Sequence, residues 1–349
     1  MSGRTANGVR VAQVRWGVLS TANIGAKAVA PAIARSANGR LLAVASRSGD
    51  KAARYAETFG MERHYGSYQA LLADQDIDAV YIPLPNSLHL EWTIKALESG
   101  KHVLCEKPLA LSVAECLRME EAARLSGRVL MEAFMYRFHP RIALARELVA
   151  SGRLGTVRLI RAAFGFTVAD PTNIRLQPEL GGGSLMDVGC YCVDVARLLL
   201  AAEPDEASAR AVWSGSGVDV HLIGRLGFGN ACLSFDCSLD TVRQEYVEVV
   251  GTEGRLRLDK ALLPGTAATA IDLVTRAEGE TRSEVQGVDE YQLMVERFAD
   301  AVLAGSAPDY TARHAAAGMA ALEALYASAH SRGETVPVTP LPTNLPPPP

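Results

Sequence analysis

The stretch His102-Val103-Leu104-Cys105-Glu106-Lys107-Pro108 decides how this chain is read. It begins as a short apolar strand and is followed by a helical run from Ser112. A residue directly before proline is pushed out of the helical region into an extended conformation. Lys107 is therefore held at a strand end, where open α/β sheets place their ligand crevice. An ammonium there, beside Glu106, can contact a substrate oxygen and shift the pKa of a neighbouring group. A surface lysine ahead of a turn proline has the same local pattern, so the preceding chain has to decide between the two.

That chain alternates between strand and helix. Residues 14–20 (VRWGVLS) read as an apolar strand, followed by a turn and an alanine-rich helix to about Ser36. Where a dinucleotide-binding loop carries G-x-G-x-x-G, this chain has Ser20, Ala22 and Gly25. An ordinary strand–helix turn looks much the same. Small residues still let the backbone approach a pyrophosphate, and the helix N-terminus still offers free N–H groups. Ser20, Thr21, Ala22, Asn23 and Ile24 are the expected contacts. The next strand, residues 40–46, ends about 20 residues beyond the loop, where a carboxylate would bind the ribose 2′-hydroxyl of NAD. Here stand Ser46, Arg47 and Ser48, then Lys51. A guanidinium can stack on adenine and pair with a 2′-phosphate. NADP(H) is therefore expected over NAD(H).

Helices are expected at 48–60 and 68–72, and a strand at 78–82. That strand runs into Pro83-Leu84-Pro85-Asn86-Ser87-Leu88-His89, a loop made rigid by two prolines. Asn86 or Ser87 can cap the following helix. Pro83, Leu84, Asn86, His89, Glu106 and Lys107 complete the expected cofactor contacts. A helix at 112–126 and a strand at 129–132 continue the alternation, which argues for a parallel, doubly wound sheet.

The pattern changes after Ala133. An aromatic stretch at 134–140 leads into a helix, then a long strand at 155–166 and an irregular segment at 170–180. Gly181-Gly182-Gly183-Ser184-Leu185-Met186-Asp187-Val188-Gly189-Cys190-Tyr191-Cys192-Val193-Asp194 opens the next helix, with Ser184 as the expected cap. Asp187 and Tyr191 are four apart and share a helix face. A phenol titrates near about 10, and a neighbouring ammonium such as Lys107 would lower that value. Strands at 207–213, 218–228, 231–240, 243–251, 254–259 and 270–275 follow in direct succession, which argues for an antiparallel or mixed sheet. Helices at 289–303 and 312–331 close the fold. The expected domains are 14–133, which binds NADP, and 134–335, which binds substrate. The tails at 1–13 and 336–349 are expected to be disordered.

Composition agrees with a two-domain globular chain. Of 349 residues, 48% are hydrophobic and 21% charged. A net charge of −4 gives no reason to expect nucleic acid or an anionic membrane as partner. No signal peptide or membrane span is read, so a cytoplasmic location is expected. Six cysteines with no CxxC pair or Cys/His set point to buried thiols and no metal site.

The chain resembles the glucose–fructose oxidoreductase/inositol dehydrogenase (Gfo/Idh/MocA) family over about residues 14–331. The resemblance rests on GVLSTANIG (17–25), YIPLPNSLH (81–89), GKHVLCEKPLA (100–110), MEAFMYRFHP (131–140) and GGGSLMDVGCYCVD (181–194). It implies an α/β chain with a Rossmann domain and a C-terminal α+β domain whose sheet is open, mostly antiparallel and often the oligomer interface. A homodimer or homotetramer is the implied assembly. It also implies that Lys107 and Tyr191 both touch the oxygen undergoing redox change. Tyrosine rather than histidine at 191 resembles the branch with sugar dehydrogenases, dihydrodiol dehydrogenase and ketosugar reductases. The departures are Ser20 and Ala22.

The expected activity is hydride transfer between NADP(H) and a hydroxyl or carbonyl carbon of a sugar or polyol. Tyr191 would be the acid/base, Lys107 its assistant, and Asp187 the residue orienting substrate. Arg137, Phe164, Phe166 and Asn173 are candidates to line the pocket. The alternatives are reduction of a nucleotide-linked ketosugar, cycling of a retained cofactor between two sugars, and NADP sensing without turnover.

Overall fold

The computed structural model describes residues 12–342. The first elements are β1 (Val14–Leu19), a π turn at Gly25–Val29 running into α1 (Ala30–Arg35), β2 (Gly39–Ala45), α2 (Gly49–Phe59) and β3 (Arg63–Tyr65). Next come α3 (Tyr68–Leu72), β4 (Ala79–Ile82), α4 (His89–Glu98), β5 (His102–Cys105), α5 (Val113–Ser126) and β6 (Leu130–Glu132). α6 (Pro140–Ala150), β7 (Val157–Thr167) and α7 (Cys190–Leu200) follow. A run of strands comes next: β8 (Glu206–Trp213), β9 (Asp219–Phe228), β10 (Ala231–Ser238), β11 (Asp240–Gly251), β12 (Gly254–Asp259), β13 (Thr269–Thr275) and β14 (Gly279–Val285). α8 (Glu290–Ala304), α9 (Ala312–His330) and β15 (Val336–Pro337) end the described chain.

Two compact units result. One comprises residues up to Ala110, Ala114–Met135 and Asp289–Ala315; the other comprises Leu111–Val113, Tyr136–Val288 and Ala316 onward. The first holds a parallel six-stranded sheet in the order β3-β2-β1-β4-β5-β6. The order reverses between β1 and β4, and that reversal opens a crevice at the carboxyl ends of both strands. The strands are buried on both faces, so they read as continuous apolar runs. α8, which follows the second sheet in sequence, belongs to this unit. Phe298 packs on Trp16 with ring centroids 5.0 Å apart. The Asn38 side-chain amide donates to Glu296 O at 2.9 Å and to Asp300 Oδ1 at 2.7 Å.

The second unit holds a nine-stranded sheet in the order β14-β13-β12-β11-β7-β10-β9-β8-β15. Only β7 and β10 pair in parallel. β7, the first of these strands in sequence, lies in the middle, between β11 and β10. α7 packs on β7 and β10.

Three sequence expectations need correction or lie outside the described residues. β3 and β14 were not expected, because both are short or polar edge strands with little burial to mark them. The disordered tail from 336 is instead ordered at its start. Val336–Pro337 pairs with β8, and the Val338 N–H reaches Asp205 O at 3.0 Å. An edge strand tolerates proline because one side needs no N–H. The expected leader, apart from residues 12 and 13, and the tail beyond 342 lie outside the described residues.

Two histidines that accept backbone hydrogen bonds, His102 half-buried and His139 buried, give the fold a pH signature. Val129 N–H donates to His102 Nδ1 at 2.9 Å, and Arg141 N–H donates to His139 Nδ1 at 3.1 Å at the start of α6. A protonated ring cannot accept at that nitrogen. Burial, with Arg128 beside His102 and Arg141 beside His139, pushes both down to about 4. An unfolded histidine titrates near about 6.5. The folded value is the depressed one, so this stability is complete above about pH 6.5 and is lost as pH falls toward about 4. The thermal midpoint should fall across that window, and His102→Asn with His139→Asn should flatten the slope. An unchanged slope in the double variant would contradict this assignment.

Candidate active site

In the first unit the loops expected to hold a cofactor follow β1, β2, β4 and β5. Ser20 has φ of +135°, a conformation in which a side chain is rare, and its hydroxyl accepts the Ala22 N–H at 3.0 Å. The serine therefore closes the turn that a glycine usually makes. Gly25 is constrained by packing: a β-carbon there would lie 3.1 Å from the Tyr55 hydroxyl. After β2, the Ser46 hydroxyl accepts the Ser48 N–H at 3.3 Å, and the Ser48 hydroxyl accepts the Lys51 N–H at 3.4 Å as the cap of α2. Arg47 and Lys51 are exposed, and residues 46–48 carry no carboxylate. Two hydroxyls, a guanidinium and an ammonium suit a 2′-phosphate.

The β4 and β5 loops are tied to each other. Pro83 and Leu84 are buried. His89 is fully buried, with Nδ1 2.9 Å from Pro108 O and Nε2 2.9 Å from Leu84 O. Burial pushes its pKa down. Its ring joins two loops and does not reach outward, unlike the cofactor contact expected of it. Asn86 does not cap α4 with its side chain; it begins a 3₁₀ turn at Asn86–Leu88. Glu106 Oε1 accepts from the Tyr81 hydroxyl at 2.5 Å, and burial together with Glu106 holds that phenol protonated. Lys107 follows, half-buried, and its bond to Pro108 is cis.

In the second unit the glycine run serves close backbone approach. Gly182 N–H donates to Gln177 O at 3.0 Å and Gly183 N–H to Arg175 O at 2.9 Å. A β-carbon at Gly182 would overlap the Arg175 carbonyl. This hairpin returns the Arg175 guanidinium to Asp187, Nε to Oδ2 at 2.6 Å, with Arg175 also over the Phe166 ring. Residues 185–189 form a π turn before α7, so the even helical spacing expected between Asp187 and Tyr191 is interrupted. Such turns recur at functional sites. Tyr191 is 5% exposed, with ring centroids 5.5 Å from Phe164 and 5.9 Å from Tyr136.

Asp194 lies beneath this layer. It accepts from the Tyr136 hydroxyl and from Arg137 Nε at 2.8 Å, with Arg197 at 3.7 Å. Burial alone would raise its pKa, but Arg137 and Arg197 hold it below the ordinary carboxylate range. Arg137, expected at the substrate, pairs with this carboxylate. Asn173 Oδ1 accepts the Arg175 N–H at 3.1 Å and so shapes the turn. Ser184 does not cap with its side chain; its hydroxyl donates to Asp219 at 2.7 Å. Sequence reasoning missed Arg175, an arginine in an irregular stretch between two prolines. The neighbouring glycine run was the available sign that this stretch folds back.

Family models match twice. Residues 14–134 match the oxidoreductase family with an NAD-binding Rossmann fold, and residues 142–257 match the GFO/IDH/MocA C-terminal domain. D-xylose 1-dehydrogenase (NADP(+)) 2 of Haloferax volcanii is 41% identical over 320 residues, covering 90% of this chain and 97% of the relative. A 3-ketoreductase from Actinomadura kijaniata, solved with NADP and TDP-benzene, is 30% identical at TM-score 0.85, covering 90% of this chain and 98% of that one. An aldose-aldose oxidoreductase from Caulobacter crescentus is 29% identical at TM-score 0.86, covering 93% and 99%.

Asp194→Ala removes the acceptor shared by Tyr136, Arg137 and Arg197. Breaking a buried ion pair from one side costs roughly 3–5 kcal/mol. Chemical unfolding should show a loss of that order; a loss below about 1 kcal/mol, the scale of an exposed pair, would contradict the network.

Proposed function

Because the chain belongs to the GFO/IDH/MocA oxidoreductase family, we propose that it is an NADP(H)-dependent enzyme transferring hydride to or from a hydroxyl or carbonyl carbon of a sugar or polyol. The observation that carries the cofactor choice is the β2 end, where Ser46, Arg47 and Ser48 stand in place of a carboxylate. Ser46, Arg47, Ser48 and Lys51 hold the 2′-phosphate, and the backbone of Ser20–Ile24 holds the pyrophosphate. When bound, NADP(H) supplies or accepts the hydride.

The protein's own part is proton transfer and orientation. In the reduction direction Tyr191 gives its proton to the forming alkoxide. Lys107 hydrogen-bonds the same oxygen and favours the phenolate that donation leaves behind. Asp187, held by Arg175, accepts from neighbouring substrate hydroxyls. Phe164 packs against Tyr191, and Phe166 lies under Arg175. A free aldose is favoured as substrate by the likeness to the xylose dehydrogenase. A nucleotide-linked ketosugar is the second reading, supported by the ketoreductase likeness.

Six free cysteines among the described residues suit a reducing compartment, so the cytoplasm is the proposed location. No helix among the described residues is long and apolar enough to cross a membrane. On β8 and β9, Val212 and Ile223 are each 58% exposed on one face of the sheet. That face is the proposed contact between copies of the chain. Light scattering should give a dimer or tetramer that Ile223→Glu dissociates; a wild-type monomer would contradict it.

Two variants test the enzyme directly. Tyr191→Phe should lower kcat roughly 10²–10⁴-fold, the usual contribution of a positioned general acid. Arg47→Ala should weaken NADPH binding by about tenfold or more, the loss of a charge-assisted hydrogen bond, and leave NADH binding unchanged. Near-normal turnover in the first, or equal losses for both nucleotides in the second, would sink the corresponding role.

A further inference from the structure

Asp219, at the start of β9, lies outside every stretch that marked the site in sequence. It is 1% exposed. Oδ2 accepts from the Ser184 hydroxyl at 2.7 Å and from the Leu185 N–H at 2.7 Å. Oδ1 accepts from the Tyr326 hydroxyl at 2.7 Å. Among the described residues no cation pairs with it. A buried carboxylate without a cation is unfavourable unless several donors satisfy it. Here three do, and two of them belong to the first turn of the helical run that carries Asp187 and Tyr191.

The surrounding residues are shaped to permit this contact. Gly183 has φ of +123°, and a β-carbon there would overlap the Asp219 carboxylate. Gly189 lets the same run press on β10, since a β-carbon there would lie 2.8 Å from Cys237 Sγ. Cys237 Sγ is itself 3.5 Å from the Ser184 hydroxyl. The segment from 183 to 189 is thus pinned to β9 by a carboxylate and to β10 by close packing. Helix starts leave their first N–H groups without intrahelical partners. Asp219 supplies from a neighbouring strand the acceptor that Ser184 does not.

We propose that Asp219 is a positioning residue for Tyr191, fixing the height and rotation at which α7 presents the phenol. The proposal rests on Tyr191 being the proton donor. Displacing a reacting group by about 1 Å can cost on the order of 10²-fold in rate, and a smaller shift costs less. It predicts that Asp219→Asn lowers kcat about tenfold while leaving NADPH affinity unchanged within about twofold. If Asp219 acts only through Tyr191, the same substitution in a Tyr191→Phe background changes the residual kcat by less than about twofold. Tyr326→Phe removes one donor and should reproduce the pattern more weakly; it decides the matter if Asp219→Asn does not fold.

Equal losses in both backgrounds, or a fall in NADPH affinity matching the fall in kcat, would overturn the proposal, as would wild-type kcat in folded Asp219→Asn. Should Asp219→Asn not fold, wild-type kcat in Tyr326→Phe overturns it. Full turnover in Tyr191→Phe alone overturns the proton-donor reading, and the positioning role with it. An inactive Tyr191→Phe beside an unaffected Asp219→Asn overturns the positioning role alone.

Discussion

β1 is hydrogen-bonded in parallel on both sides, to β2 and to β4, and the nucleotide end of the molecule follows from that. Parallel pairing puts the carboxyl ends of all six strands of that sheet on one edge. The reversal of order at β1 and β4 then leaves a gap between the helices that leave that edge. Each loop at the edge is made rigid in its own way. Ser20 closes its turn on Ala22, Ser48 caps α2, and His89 joins the β4 loop to the β5 loop. Lys107 therefore leaves β5 from a frame that is fixed on both sides.

The second unit solves a different problem. It must hold polar side chains at a helix start that is almost wholly buried. Glycines at 182, 183 and 189 permit contacts that a β-carbon would block. Two buried carboxylates then complete the arrangement, one paired with guanidiniums and one without. Asp194 is stabilised by Arg137 and Arg197, and Asp219 by three hydrogen-bond donors. Partly satisfied, such groups would be destabilising; fully satisfied, they select one arrangement of the backbone.

Much of this was legible in the sequence, for identifiable reasons. Apolar runs and their spacing marked the first-unit helices and every strand of that unit except β3 to within a few residues. Edge strands β3 and β14 escaped because little of them is buried. α8 lies with the first unit although it follows the second sheet, since contact through Phe298 and Asn38 is a long-range fact that no local pattern carries. Candidate residues such as Lys107, Asp187 and Tyr191 could be picked out by type, but not their partners. Arg175 and Asp219 come from a prolyl loop and a distant strand, and only folding brings them to the segment at 183–189. His89 and Ser184 had the right loop positions, yet backbone carbonyls and Asp219 engage them instead.

The most direct measurement follows absorbance at 340 nm. The purified chain is given NADPH or NADP(+) against a panel of aldoses, polyols and nucleotide-linked ketosugars, with NADH and NAD(+) in parallel. Sustained turnover with at least one sugar, faster with the phosphorylated cofactor, is the expected result. Tight NADPH binding with no turnover on any member of the panel would contradict it and leave a nucleotide sensor as the better description.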